Sequence, residues 1–190
     1  MNKLLKGTIA GVAGVVLLLG GAGSFALWNS AATIGGGTIV AGTLDVVSST
    51  TAGSWTVNGG APRASMTGFK IVPGDVLVYT KGLSITATGD NLVATLGVDL
   101  ASIAPSSPSA PADIALAAYL GKTATLTATG TGISTGAAPY TVTAGTAGVS
   151  QDVTVNVTIT YPKSSTAGFE NSSKLGSVNL AALAVTLTQK

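Results

Sequence analysis

Cysteine and histidine are both missing from this sequence, and charge is scarce. Without cysteine there is no disulfide-stapled scaffold and no thiol nucleophile. Without histidine there is no H-E-x-x-H zinc site and no Ser-His-Asp triad. The S-x-x-K pattern of Ser-Lys dyads has no well-placed match; "SSTTAG" and "NSSKLG" do not supply it. Glutamate occurs once, at Glu170, and the aspartates are spread among turns, so no carboxylate pair suggests glycoside chemistry. The expectation is a protein that is not an enzyme and uses no cofactor and no metal. Asp45 and Asp75 are the one pair weighed as a calcium site, and nothing in the sequence places them together.

Charged residues make up 8% of the 190 residues, against roughly 25% in an average soluble domain. Lys3 and Lys6 precede a long apolar run. Beyond it, seven cations meet seven acids, so the body is neutral although the whole chain is +2. With no cluster of Lys or Arg to neutralise phosphates, nucleic acid is excluded as a partner. Aromatics are only 5%, whereas hydrophobic residues reach 46%, mostly Ala, Val, Leu and Ile beside Thr, Ser and Gly. That mixture suits pleated strands joined by short polar turns. Each aromatic, Trp28 and Trp55 in particular, is expected to fill volume that Ala and Val cannot, in a core or at an assembly contact.

The N-terminus reads as an export signal. Lys3 and Lys6 form a charged start, Thr8 to Leu19 is apolar, and Ser24-Phe25-Ala26 ends the segment with small residues at −3 and −1. Cleavage between Ala26 and Leu27 is expected, leaving a mature chain of residues 27–190. An uncleaved membrane anchor is the competing reading, since Thr8 to Leu27 is about the ~20 residues that span a bilayer.

Downstream, alternation dominates. In "QDVTVNVTITYP", Val153, Val155, Val157, Ile159 and Tyr161 share one face, with Thr and Asn on the other. "NLVATLGVDLA", "GLSITATG" and "LAVTLTQK" alternate in the same way. "GTIVAGTLDVV", "SWTVNG", "DVLVYTKG", "KTATLTATG" and "PYTVTAG" are weaker strands. Gly, Pro, Asn and Asp punctuate these runs; Pro73-Gly74-Asp75 reads as a turn with Asp75 capping backbone N–H groups, and Asp90-Asn91 as a hairpin turn. About eight to ten short strands predict an all-β, jelly-roll-like antiparallel sandwich. "DIALAAYLGK" is either a short helix, with Asp113 as N-cap and Gly121 just past its end, or a buried strand. "APSSPSAPAD" reads as an exposed loop inserted within one domain. No internal repeat is present.

The segment "SFALWNSAATIGGGTIVAGTLDV" then gains meaning. The Trp28-Asn29 pair after the cleavage site, the Ala41-Gly42-Thr43-Leu44-Asp45 strand start and the Pro73-Gly74-Asp75 turn resemble the TasA/camelysin family of bacterial secreted proteins, in the style of its actinobacterial relatives. The resemblance covers roughly residues 1–100. It implies a jelly-roll domain exported through a SipW-like signal peptidase to the cell surface or extracellular matrix. There it would be a biofilm fibre subunit, with or without an accessory matrix protein. Camelysin relatives have been classed as metalloproteases, an activity for which this chain lacks histidine ligands. The resemblance further implies that the mature N-terminus of one subunit inserts as a donor strand into its neighbour, giving a head-to-tail homopolymer. Chemistry supports either of two fates for residues 27–34. As a donor, Leu27, Trp28, Asn29 and Ile34 would bond an exposed edge and fill pockets, with Gly35-Gly36-Gly37 as a hinge. Alternatively the segment is an ordinary first strand of its own domain. The expected layout is a signal peptide (1–26), an assembly segment with glycine linker (27–37) and a β-sandwich (38–190) whose first strand runs from Thr38 to Val47. A monomeric sandwich that binds a surface glycan or protein is the alternative function.

Overall fold

The computed structural model describes residues 11–13, 35, 37–131, 133–134 and 138–190. The chain divides into two units, residues 1–39 and 40–190. In the first, Gly11, Val12 and Ala13 are helical, and Gly35 and residues 37–39 have no regular structure. The expected cleavage residues Ser24, Ala26 and Leu27, the expected assembly segment with Leu27, Trp28, Asn29 and Ile34, and Gly36 of the expected hinge lie outside the described residues.

The second unit is an all-β, antiparallel, sandwich-like fold, as the alternation predicts, with eight strands among the described residues. The strands are β1 (Thr43–Ser48), β2 (Ser54–Val57), β3 (Val76–Asp99), β4 (Ala104–Pro105), β5 (Thr125–Thr129), β6 (Tyr140–Thr160), β7 (Val178–Asn179) and β8 (Ala184–Gln189). A helix, α1 (Pro111–Thr123), lies between β4 and β5. Strands β3 and β6 form a long antiparallel ribbon. On its far side β6 pairs with β5, and β3 pairs in turn with β2, β1 and β8. β4 and β7 form a separate two-stranded ladder.

Two strands this long supply both faces of the sandwich because each changes its inward face at one level. Before Gly89, β3 buries Leu77, Leu83, Ile85 and Ala87; after it, the buried residues are Ala94 and Leu96. β6 makes the matching change between Ala144 and Val153. Gly89 faces Gly145 across the ladder, with register shifts on both sides of Gly89, and φ is +139° and +60° at the two. Extra residues at a bulge shift the two-residue period, and glycine takes the positive φ without a Cβ clash. The two halves of the ribbon share one core, which joins Ile85, Val155 and Val157 to Leu96 and Val142, with Val46 and Val185 packed against it.

The structure corrects four local expectations. The first strand starts at Thr43, not Thr38; residues 37–42 are irregular, and Ile39 is 95% exposed. Asp90-Asn91 is no hairpin turn: it lies in the bulge of β3, so "GLSITATG" and "NLVATLGVDLA" are one strand. Helix wins over strand at 111–123, yet Asp113 is not its N-cap and Gly121 is inside it. Ala110 precedes the helix, and Pro111 starts it, where a missing N–H costs nothing. The proline- and serine-rich loop is not wholly exposed, because Ala104 and Pro105 pair with Asn179 and Val178.

Candidate functional site

Strand edges and the pockets beside them are the features of this body through which another chain could attach. Among the described residues, β1, β5 and β8 each pair on one side only. The outer side of β2 is closed: Trp55 and Arg63 exchange both backbone hydrogen bonds at 2.8 Å. β5 and β8 contain neither charge nor proline, the usual means of blunting an edge.

Between the two faces of the sandwich, where β1 and β8 meet, lies a slot of about 260 Å³. Val46 of β1, Leu83 of β3, Val155 and Val157 of β6, and Leu183 and Val185 at β8 line it. Val46, Leu183 and Val185 are only half-buried, unlike Val155 and Val157, which are 1% exposed. The slot therefore has a closed apolar floor and incompletely covered walls beside two strand edges. That arrangement provides backbone hydrogen-bonding groups together with a pocket for apolar side chains, as strand addition requires.

One charged residue sits in this slot. Lys81 shares the inward face of β3 with Tyr79 and Leu83 and stands opposite Val155. Its ammonium leaves the core sideways and donates to the carbonyls of Ser49 (2.9 Å) and Thr51 (2.6 Å). It thereby holds the β1–β2 connection against the sheet while its methylenes cover apolar surface. Alternation alone assigns position 81 to the inward face, but its charge masked that signal in the sequence.

The motif residues have structural work near this slot. Ala41 and Gly42 lead into β1. A Cβ on Gly42 would stand 2.0 Å from the carbonyl oxygen of Thr88, so only glycine lets the chain approach β3 there. The backbone N–H of Thr43 then donates across the sheet to Thr88 Oγ1, and the two threonine hydroxyls meet at 2.9 Å. Leu44 turns inward and is half-buried, whereas Asp45 is exposed. Of the three glycines expected to form a hinge, Gly35 and Gly37 are exposed and irregular, and Gly37 has φ +68°.

Pro73-Gly74-Asp75 is a turn, closed by Asp75 N donating to Val72 O (3.0 Å), with Gly74 at φ +102°. The Asp75 carboxylate accepts from Val72 N and from the Asn58 side-chain amide, both at 2.8 Å, and Asn58 Oδ1 accepts from Val76 N. Asp75 thus caps backbone, as its place in the sequence suggests, and ties the end of β2 to the start of β3. It is not brought together with Asp45, which faces Thr86, ten residues along β3 from Val76. Trp55 is buried and packs on Tyr79 with ring centroids 4.7 Å apart, a core role. Comparison with protein-family models, with curated proteins and with solved structures yields no match for this chain.

Proposed function

We propose that this chain is a secreted structural subunit of cell-surface or extracellular-matrix fibres, and that its mature N-terminal segment adds to a neighbour as a donor strand. The observation that carries the reading is the slot between the edges of β1 and β8, which have no outer partner among the described residues, with its half-covered Val46, Leu183 and Val185. The sequence supplies a matching segment: Leu27, Trp28 and Ile34 are apolar, the stretch 27–34 has no charge, and three glycines follow it. A contact of one subunit's end with another's edge is heterologous and does not close, so it propagates as a filament. The resemblance to the TasA/camelysin family points the same way and adds a SipW-like signal peptidase as the export partner and an accessory matrix protein as a candidate co-assembler.

Negative-stain electron microscopy of untagged residues 27–190 across a concentration series tests the proposal. Regular filaments that lengthen with concentration are expected. Discrete, monodisperse particles at every concentration would sink it and favour a monomeric module that binds a surface glycan or protein.

A further inference from the structure

A second and larger cavity, of about 1140 Å³, lies between α1, the start of β3 and the end of β6. Its floor is the buried surface of Leu77, Leu116, Leu120 and Tyr161, contributed by β3, α1 and the end of β6. One wall is the 64–73 connection, which brings Met66, Phe69 and Ile71; the other is the 168–181 connection, which brings Val178 and Leu180. Its volume lies a little above the roughly 300–1,000 Å³ usual for small-molecule sites. At the rim, Val72 is 58% exposed and Leu175 94%, and Leu175 holds φ +63°, a conformation leucine rarely adopts.

Charge is distributed unevenly around this cavity. Lys70 and Lys174 line it, Arg63 lies over the Phe69 ring at 4.5 Å, and Lys163 approaches Gly74 beside it. Four of the seven cations of the body thus gather here. The nearby acids are turned to structural use. Asp75 accepts from Val72 N, Asp113 from the backbone N–H groups of Ser107 and Ser177, and Glu170 from Ser164 N. The carboxylates are held by backbone N–H groups, while Lys70 and Lys174 are exposed at the cavity.

From this we infer that the cavity is a binding site for a long-chain anionic amphiphile of the fatty-acid class. The chain lies against Leu77, Leu116 and Leu120, and the carboxylate is met by Lys70 and Lys174. A cavity with an apolar floor and a polar rim, where the exposed Lys70 and Lys174 stand and the lining acid Glu170 is engaged by Ser164 N, matches a ligand with an apolar tail and one anionic end. This site is separate from the β1–β8 slot and does not depend on assembly.

The test is titration of the chain, in the processed form the cell delivers, with cis-parinaric acid, which fluoresces in apolar surroundings. Saturable uptake at one equivalent is expected. Palmitate should displace the probe at least about tenfold better than hexadecanol, which has the same tail without the charge. The Lys70→Glu/Lys174→Glu variant alters only exposed side chains, so it should keep the wild-type melting temperature and lose the preference for palmitate. Three results would overturn the assignment: no saturable uptake, equal displacement by acid and alcohol, or an unchanged preference in the variant. Association with phosphatidylglycerol vesicles without uptake of free palmitate would overturn it as well, placing the apolar mouth on a bilayer instead.

Discussion

Single residues decide how closely these strands approach. Gly42 is the clearest case, because a Cβ there would meet the Thr88 carbonyl oxygen at 2.0 Å, a backbone atom that cannot swing aside. Gly42→Ala must push β1 away from β3, and overpacking of this kind costs about 1–3 kcal/mol. Denaturant unfolding should show a lower midpoint with little change in slope. Lys81 acts differently, by donating to the carbonyls of Ser49 and Thr51. Lys81→Met keeps the apolar stem and removes the ammonium, which isolates the hydrogen-bonding role. A loss of about 1–3 kcal/mol is expected, with faster amide exchange confined to residues 49–53. An unchanged exchange pattern would mean that the lysine does not hold this connection.

At the scale of elements, the alternation in β6 is both the strongest sequence signal and the centre of the core. Val155 and Val157 are each 1% exposed and stand between β3 and β5. Val155→Asp or Val157→Asp buries a charge with no partner, and each variant should fail to give a cooperative thermal transition. A native melting temperature in either would refute the assigned facing. What the sequence hid at this scale is instructive. A two-residue period reports which way side chains point but not where a strand ends. Gly89, Asp90 and Asn91 carry the composition of a turn, so the bulge that carries β3 from one face of the sandwich to the other looked like a break between two strands. The start of α1 was obscured for a related reason. Asp113 is a good N-cap residue type, yet its carboxylate binds the Ser107 and Ser177 backbone instead, and Pro111 begins the helix without a side-chain cap. The slot itself was invisible, since Val46, Leu83, Val155 and Leu183 are brought together only by the folding of the ribbon.

For the molecule as a whole, neutrality shapes how assembly should respond to solution conditions. The body has equal numbers of acids and cations, and the proposed contact uses backbone hydrogen bonds and apolar side chains. Salt screens charge–charge interactions but leaves such contacts largely intact. Filament yield, followed by sedimentation, should therefore change little between low salt and about 1 M salt, where the Debye length falls to roughly 3 Å. Dissolution of filaments at high salt would indicate an electrostatic contact instead. Deleting residues 27–34 should leave a body with the wild-type unfolding transition that no longer sediments. Filaments from that truncated chain would rule out the N-terminal segment as the connecting strand.

The register of the first and last strands has a further effect. Thr43 faces Thr88 and Gln189 faces Ala94, so the body begins and finishes within a few residues of the same bend in β3. Entry and exit share one corner, as in proteins that tolerate circular permutation. A short linker from Lys190 to Thr43 closes the body into a loop without disturbing the ladder, and new ends can then be opened at residues 61–62, which are exposed and irregular. Such a permutant would carry its free ends beside the Trp55–Arg63 bridge, so the direction in which copies joined by the proposed contact are strung would change with them.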